Sequence, residues 1–186
     1  ARALSCADAA LRLAPRSVEA LRLRADALAD LDRGDEARRA LARALAIDPD
    51  DVETLYAAAD LHVARLAGDR EGLELGLEYA RRALRLEQRA RRADAERRAE
   101  LHLLSAMAEN DLGESRAALA DADRALALRP GHPDAEYERG VALYELCRFD
   151  EARGALERVR SRLPDDAWAL HYLALVAERT GHGRRA

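Results

Sequence analysis

The sequence predicts an all-α protein with an internal repeat, and three observations carry that reading. Ala, Leu, Arg, Asp and Glu make up about three-quarters of the 186 residues, and Ala, Leu, Arg and Glu are among the strongest helix formers. The β-branched and aromatic residues that suit a pleated sheet are sparse, with one Phe, one Trp and five Tyr in the whole chain, which excludes a mainly β or doubly wound α/β domain. The third observation is a period. The endings ALRLAP (10–15), ALAIDP (44–49) and ALALRP (125–130), with the looser VRSRLP (159–164), place prolines at Pro15, Pro49, Pro130 and Pro164. Pro49 follows Pro15 by 34 residues and Pro164 follows Pro130 by 34, while the middle gap holds two such periods and 13 further residues.

A 34-residue helix–turn–helix unit ending near a proline resembles the tetratricopeptide repeat family. That resemblance implies a right-handed superhelical solenoid of antiparallel helix pairs. With each proline at position 32, small residues fall where two helices must cross closely. Position 8 holds Ala25, Ala106, Gly140 and Ala174; position 20 holds Ala3, Ala37, Ala118, Ala152 and Ala186; position 27 holds Ala10, Ala44, Ala125 and Val159. A large side chain at such a crossing would force the helices apart, and Gly140 is expected to lie against Ala152. Position 15, the turn between the helices, is Gly113 and Gly181 in two units but Asp32 and Cys147 in two others.

In chain order, residues 1–17 are expected to form the second helix of a partial repeat. Repeats then follow at 18–51, 52–98, 99–132 and 133–166, with a partial repeat at 167–186. The 52–98 repeat carries the 13 extra residues. About five are expected to lengthen its interhelical loop near Ala67–Gly72. About eight fall near Ala90–Arg98, where the absence of Pro and Gly predicts extended or continuous helices. Both ends cut a repeat, so the chain is expected to be a fragment of a longer protein, with apolar surface around Leu4, Leu11, Leu170 and Leu173 open to self-association.

For function, the resemblance implies that the first helix of each repeat lines a concave groove through positions 2, 5, 9, 12 and 13. These are Glu19, Arg22, Asp26 and Asp30 in the first repeat and Glu53, Tyr56 and Asp60 in the second. The third supplies Glu100, Leu103, Met107, Asn110 and Asp111, and the fourth Asp134, Tyr137, Val141, Tyr144 and Glu145. Trp168, His171, Leu175 and Glu178 complete the stripe. It is acidic at one end and apolar and aromatic at the other, which predicts a protein or peptide partner with basic residues and an apolar anchor. The chaperone-tail clamp known in the family needs cations where this chain has Asp26, Glu100 and Leu104; Arg22 is the one match.

Other chemistry finds little support in the sequence. A net charge of −4 argues against nucleic acid, which calls for clustered basic charge. All 31 cations are arginine, read as the codon usage of a GC-rich bacterium. The five histidines and two cysteines match no metal-ligand spacing, and no GxSxG or glycine-rich phosphate loop occurs. No cofactor, metal or catalytic residue is expected. Eight arginines between Arg81 and Arg98 read as a solvated face with local ion pairs, and Cys147 as a small, partly buried turn residue. No signal peptide or membrane-length apolar run is present, which predicts a cytoplasmic protein. The sequence-level reading is a non-enzymatic protein-interaction scaffold. A regulatory or substrate-recruiting segment of a larger bacterial enzyme and a self-association module are the alternatives.

Overall fold

A computed structural model of the chain describes residues 2–65, 69–90 and 94–181. Among them are ten α-helices, one π-helical turn and no strand. The chain divides into two compact units, 1–93 and 94–186. The first holds α1 (Arg2–Leu13), α2 (Val18–Ala29), α3 (Gly34–Ile47), α4 (Val52–Asp60) and α5 (Arg70–Arg89). The second holds α6 (Ala95–Asp111), α7 (Ser115–Leu128), α8 (Pro133–Glu145), α9 (Phe149–Arg162) and α10 (Ala167–Arg179).

Within each unit every helix packs on the next, and alternate helices also meet: α2 on α4 in the first unit, α6 on α8 and α8 on α10 in the second. Helix starts are written in the sequence. Ser17, Asp51, Asp69, Asp94 and Asp166 each accept a backbone N–H from the first turn that follows, satisfying donors the helix itself cannot. Pro133 opens α8 at a position where a missing N–H costs nothing.

Three of the interhelical turns share one hydrogen-bond pattern. Arg33 N–H reaches Leu28 O (2.9 Å) and Asp32 N–H reaches Ala29 O (3.0 Å). The same 6→1 and 5→2 pair joins Glu114 to Glu109 and Gly113 to Asn110, and again Arg148 to Leu143 and Cys147 to Tyr144. This is the Schellman ending, and it requires a left-handed residue at its corner. The corner residues have φ of 56° (Asp32), 81° (Gly113) and 58° (Cys147). Cys147 is therefore an exposed residue held in a left-handed backbone, rather than the partly buried filler expected from sequence. A side chain there costs roughly 1–2 kcal/mol that glycine avoids. Cys147→Gly should accordingly raise stability by about 1 kcal/mol, whereas Asp32→Gly should gain less, because aspartate tolerates this region. Urea unfolding of the two variants measures the difference, and equal effects would contradict the argument.

The small positions form the core of each unit. Ala25, Ala37 and Ala44 in the first unit, and Ala106, Ala118, Ala125, Ala152 and Val159 in the second, are buried. Ala3, Ala10 and Ala174 are exposed, because α1 and α10 are each covered on one side alone. Ala186 lies outside the described residues. In α8, Gly140 is buried, and a Cβ added there would first meet Leu156 of α9, 2.7 Å from its Cγ. In the inserted repeat, Gly76 of α5 plays the same part, with a Cβ position 2.7 Å from Val63 Cγ2.

Among the described residues of the two expected additions, 70–72 and 95–98 lie in helices. α4 continues into the π-helical turn Leu61–Arg65, and Gly72 lies in the first turn of α5 rather than in a loop. Residues 66–68 of the expected loop fall outside the described residues. Near Ala90–Arg98, α5 runs on to Arg89 and α6 begins early at Ala95, capped by Asp94; residues 91–93 between them are outside the described residues.

Candidate functional site

The expected groove residues fall into two groups, one in each unit. In the first unit, α2 supplies Arg22, Asp26 and Asp30, and α4 supplies Tyr56 and Asp60. The acids gather around Arg65, a residue absent from the sequence-derived stripe. Arg65 Nε lies 2.9 Å from Asp60 Oδ2 and its Nη1 3.3 Å from Asp30 Oδ1, while Arg22 lies 3.5 Å from Asp51. The π-helical turn explains the omission. One extra residue per turn rotates everything after it by about 100°, and this brings Arg65 onto the face of Asp60.

Partial burial raises the Asp26 carboxyl above its usual range, and Asp30 and Asp60 add to the effect against Arg65 and Arg22. Asp26 keeps an exposed surface, so no large energy attaches to that shift. Tyr56 is half-buried. The charges of this wall are mostly neutralised within it.

The second unit is built differently. Between α6, α8 and α10 lies a cavity of about 520 Å³, open to solvent. Asn110 and Asp111 line it from the end of α6. Tyr137, Glu138, Val141 and Glu145 line it from α8, and Tyr172 from α10, with Leu112, Gly113 and Ser115 at the α6–α7 turn. The face period of a helix puts Tyr137, Val141 and Glu145 one turn apart, so α8 presents three side chains to one space.

Glu138 is the unexpected member. It is 9% exposed. Its Oε2 accepts a 2.7 Å hydrogen bond from Asn110 Nδ2, which also donates to the Glu138 carbonyl at 3.0 Å. Loss of water raises its carboxyl to about 7; Asp111 and Asp134 push the same way, and the Asn110 bond opposes them. Asp111, though exposed, is also raised, by desolvation. Asn110 Oδ1 is buried with no hydrogen-bond partner.

Tyr172 is the second member the stripe omitted. Its ring meets Tyr137 edge-on (centroids 6.0 Å), Tyr144 edge-on (5.6 Å) and His171 edge-on (5.7 Å). Burial raises the Tyr137 and Tyr172 hydroxyls above their usual range, with Glu138 adding to both.

The remaining expected residues are divided. Tyr144 also packs on Phe149 (5.7 Å) and, like Tyr137, rests against the α8–α9–α10 core. Met107 is half-buried against Leu103, Ala125 and Ala135. Val141 is 8% exposed and lines the cavity. Trp168 and His171 are exposed; Trp168 is 68% exposed and lies one turn before Tyr172 on α10. Leu170 is also exposed, whereas Leu4, Leu11 and Leu173 are half-buried.

Outside these groups, His102 Nδ1 lies 2.8 Å from Asp121 Oδ1, to which Arg124 Nη1 donates at 2.7 Å. Burial works against the Asp121 carboxylate, but those two hydrogen bonds outweigh it and hold its pKa below the usual range. The network ties α6 to α7. His62 is buried beside Tyr79 (6.1 Å), and burial lowers its pKa, with Arg38 adding to the effect. In the arginine-rich stretch, Arg82 pairs with Asp50 at 2.9 Å and Arg97 with Asp94 at 3.8 Å. No helix among the described residues is long and apolar enough to cross a membrane.

Paired helices with Schellman corners, small residues at each crossing and side chains of alternate helices converging on one face define a helical-repeat protein. Two family models described as tetratricopeptide repeat match residues 18–61 and 106–177. The chain belongs to the tetratricopeptide repeat family. No curated protein sequence matches it. Among solved structures, MamA is 25% identical, with 86% of this chain and 85% of that chain covered at a TM-score of 0.70. YrrB, described as a TPR protein with an unusual peptide-binding site, is 18% identical over 96% of this chain and 85% of that one, with a TM-score of 0.72. PilW, described as a type IV pilus biogenesis factor, is 21% identical over 97% of this chain and 78% of that one, at a TM-score of 0.80. These neighbours agree on the all-α helical-repeat fold.

Proposed function

We propose that the chain is a protein-interaction scaffold whose second unit binds a peptide or helix along the shared face of α6, α8 and α10. The cavity that these three helices line together carries the reading. It is concave, of the size that ligand sites occupy, and it combines aromatic rings with acidic groups. Family membership supports the reading, as does the peptide-binding site described for YrrB, a protein of the same fold. The repeats of this surface are taken as 99–132 and 133–166 with the partial repeat 167–186, a reading supported by the Schellman corners at Gly113 and Cys147, one 34-residue period apart.

The partner is a segment with basic residues for Asp111 and Glu145, and an apolar side chain for the exposed Trp168. Buried aromatic anchors carry most of the energy of an interface, whereas rim charges set association rate and salt dependence. Peptides selected from a displayed random library on the chain provide the test. Trp168→Ala should weaken the selected peptides by roughly 1–3 kcal/mol, and Asp111→Asn with Glu145→Gln should slow association and flatten its salt dependence. Hydrogen exchange should show protection of α6, α8 and α10 on binding. Protection confined to α7 and α9 would place the interface on the opposite side and reject the reading.

A further inference from the structure

The cavity between α6, α8 and α10 is rich in hydrogen-bond acceptors and poor in donors of charge. Asn110 Oδ1 is buried without a partner. Glu138 is nine-tenths buried, and the bond it accepts comes from the neutral Asn110 amide. Asp111 and Glu145 at the rim are in no ion pair among the described residues. No basic side chain lines the space. Elsewhere in the same unit the pattern is the reverse: Glu136 is held by Arg158 (2.8 Å), Asp123 by Arg139 (2.7 Å), Asp121 by Arg124 and Glu100 by Arg129 (2.7 Å). A buried acid beside other acids is costlier to ionise, and this one lacks the cation that Glu136, Asp123, Asp121 and Glu100 each have.

We propose that the cavity takes the guanidinium of an arginine side chain from the bound polypeptide. The assignment rests on the scaffold reading above and specifies the residue its partner inserts. Guanidinium carries five N–H donors in a plane and no acceptor, which matches an orphan amide oxygen beside carboxylates. The edge-on rings of Tyr137 and Tyr172, 6.0 Å apart, offer a π-face to a flat cation, a contact arginine makes more readily than lysine. Val141 supplies an apolar wall for the methylene stem. Phosphate and carboxylate ligands are excluded by charge. A metal ion is disfavoured because the described residues bring no three His, Cys, Asp or Glu side chains to metal-holding distance.

The probes are the Nα-acetyl amides of arginine, lysine and citrulline, the last being nearly isosteric with arginine but neutral. Each is titrated into the chain at about pH 8, above the Glu138 transition, and followed by the Asn110 side-chain amide and the Tyr137 and Tyr172 ring signals in NMR. The arginine probe should give saturable shifts at all three. The citrulline probe should bind about tenfold more weakly, and the lysine probe measurably more weakly than arginine. Glu138→Gln, which keeps an acceptor for Asn110, should weaken the arginine probe about tenfold. The exposed pair Asp111→Asn with Glu145→Gln should also weaken it, without risk to the fold. Citrulline binding as well as arginine, or shifts unaltered in both variants, would overturn the assignment. The scaffold reading fails separately. Selected peptides lacking arginine that still protect α6, α8 and α10 would sink the guanidinium pocket alone, whereas a saturable arginine probe with no selectable peptide would sink the scaffold and leave the pocket.

Discussion

Replacing Gly140 with leucine should destabilise the second unit by about 3 kcal/mol, the upper end of what overpacking a core costs. The first added carbon would already lie 2.7 Å from Leu156 Cγ and 2.8 Å from its Cδ2, closer than carbon atoms approach. Leu156 is fully buried in the cluster of Leu143, Ala152, Ala155, Val159, Ala169 and Val176, so it has nowhere to move, and interiors packed at crystal density pass such strain on. The relief is to separate α8 from α9, which would pull Tyr137 and Glu138 out of the cavity wall. Hydrogen exchange reads the effect unit by unit. Amides of α8 and α9 should lose protection while those of α2 and α3 serve as an internal reference. Unchanged protection in α8 and α9 would show that the crossing is looser than the distances require.

Glu138→Gln should have an effect of similar size with the opposite sign, and one that depends on pH. The folded carboxyl titrates at about 7, against 4.5 for the ordinary side chain. Between those values the native state binds the proton and the unfolded state does not, so stability falls as pH rises through that window and is flat above it. Glutamine has no such slope and still offers a carbonyl to Asn110. The two proteins should be comparably stable near pH 4, and the variant more stable by about 3 kcal/mol near pH 9. Asp26 and Asp111 are raised too, but they are common to both proteins and cancel in the comparison. Denaturant melts across this range provide the measurement, and parallel curves for wild type and variant would contradict the burial argument. A group that costs stability at neutral pH and sits in a cavity is a functional candidate rather than a structural one. The substitution that steadies the fold is the one expected to weaken arginine binding about tenfold.

Much of the fold was legible because it rests on local chemistry. Ser17, Asp51 and Asp166 cap helices as their side chains allow, and Ala37, Ala118 and Ala152 are small where helices cross. Gly113 marks its corner openly. At Asp32 and Cys147 the period alone marked the turn: aspartate tolerates a left-handed backbone without requiring it, and cysteine gives no such signal, so the hydrogen bonds of the turn impose it. Gly140 is a close approach, as its position 8 implied, but the period locates a crossing and did not single out Leu156 as the side chain that presses on it most closely. Five of the expected groove residues do line the cavity: Asn110, Asp111, Tyr137, Val141 and Glu145.

Of the lining residues it lacked, Leu112, Gly113 and Ser115 belong to the α6–α7 turn, while Glu138 and Tyr172 occupy position 6 of their repeats, one residue outside the stripe. A sequence signal for Glu138 did exist. Position 6 is otherwise Leu23, Ala57, Leu104 and Tyr172, so a carboxylate among apolar and aromatic equivalents marks a site where burial and charge conflict. Trp168, read from sequence as an anchor, is instead bare on α10, which suits contact with a partner but not packing within the unit.

The π-helical turn at Leu61–Arg65 also has a genetic meaning. Most single-codon insertions in a packed helix displace every downstream side chain from its neighbours. Here the surplus residue is confined to one wide turn, and α5 still docks on α4 through Gly76. What the insertion changes is which side chain meets the acids Asp30 and Asp60: an arginine that would otherwise point elsewhere becomes their counter-ion. An added codon that is absorbed as such a turn would change which side chain faces a wall of acids. Repeat proteins can thus retune the charge of a surface by a change of reading length instead of a change of residue type.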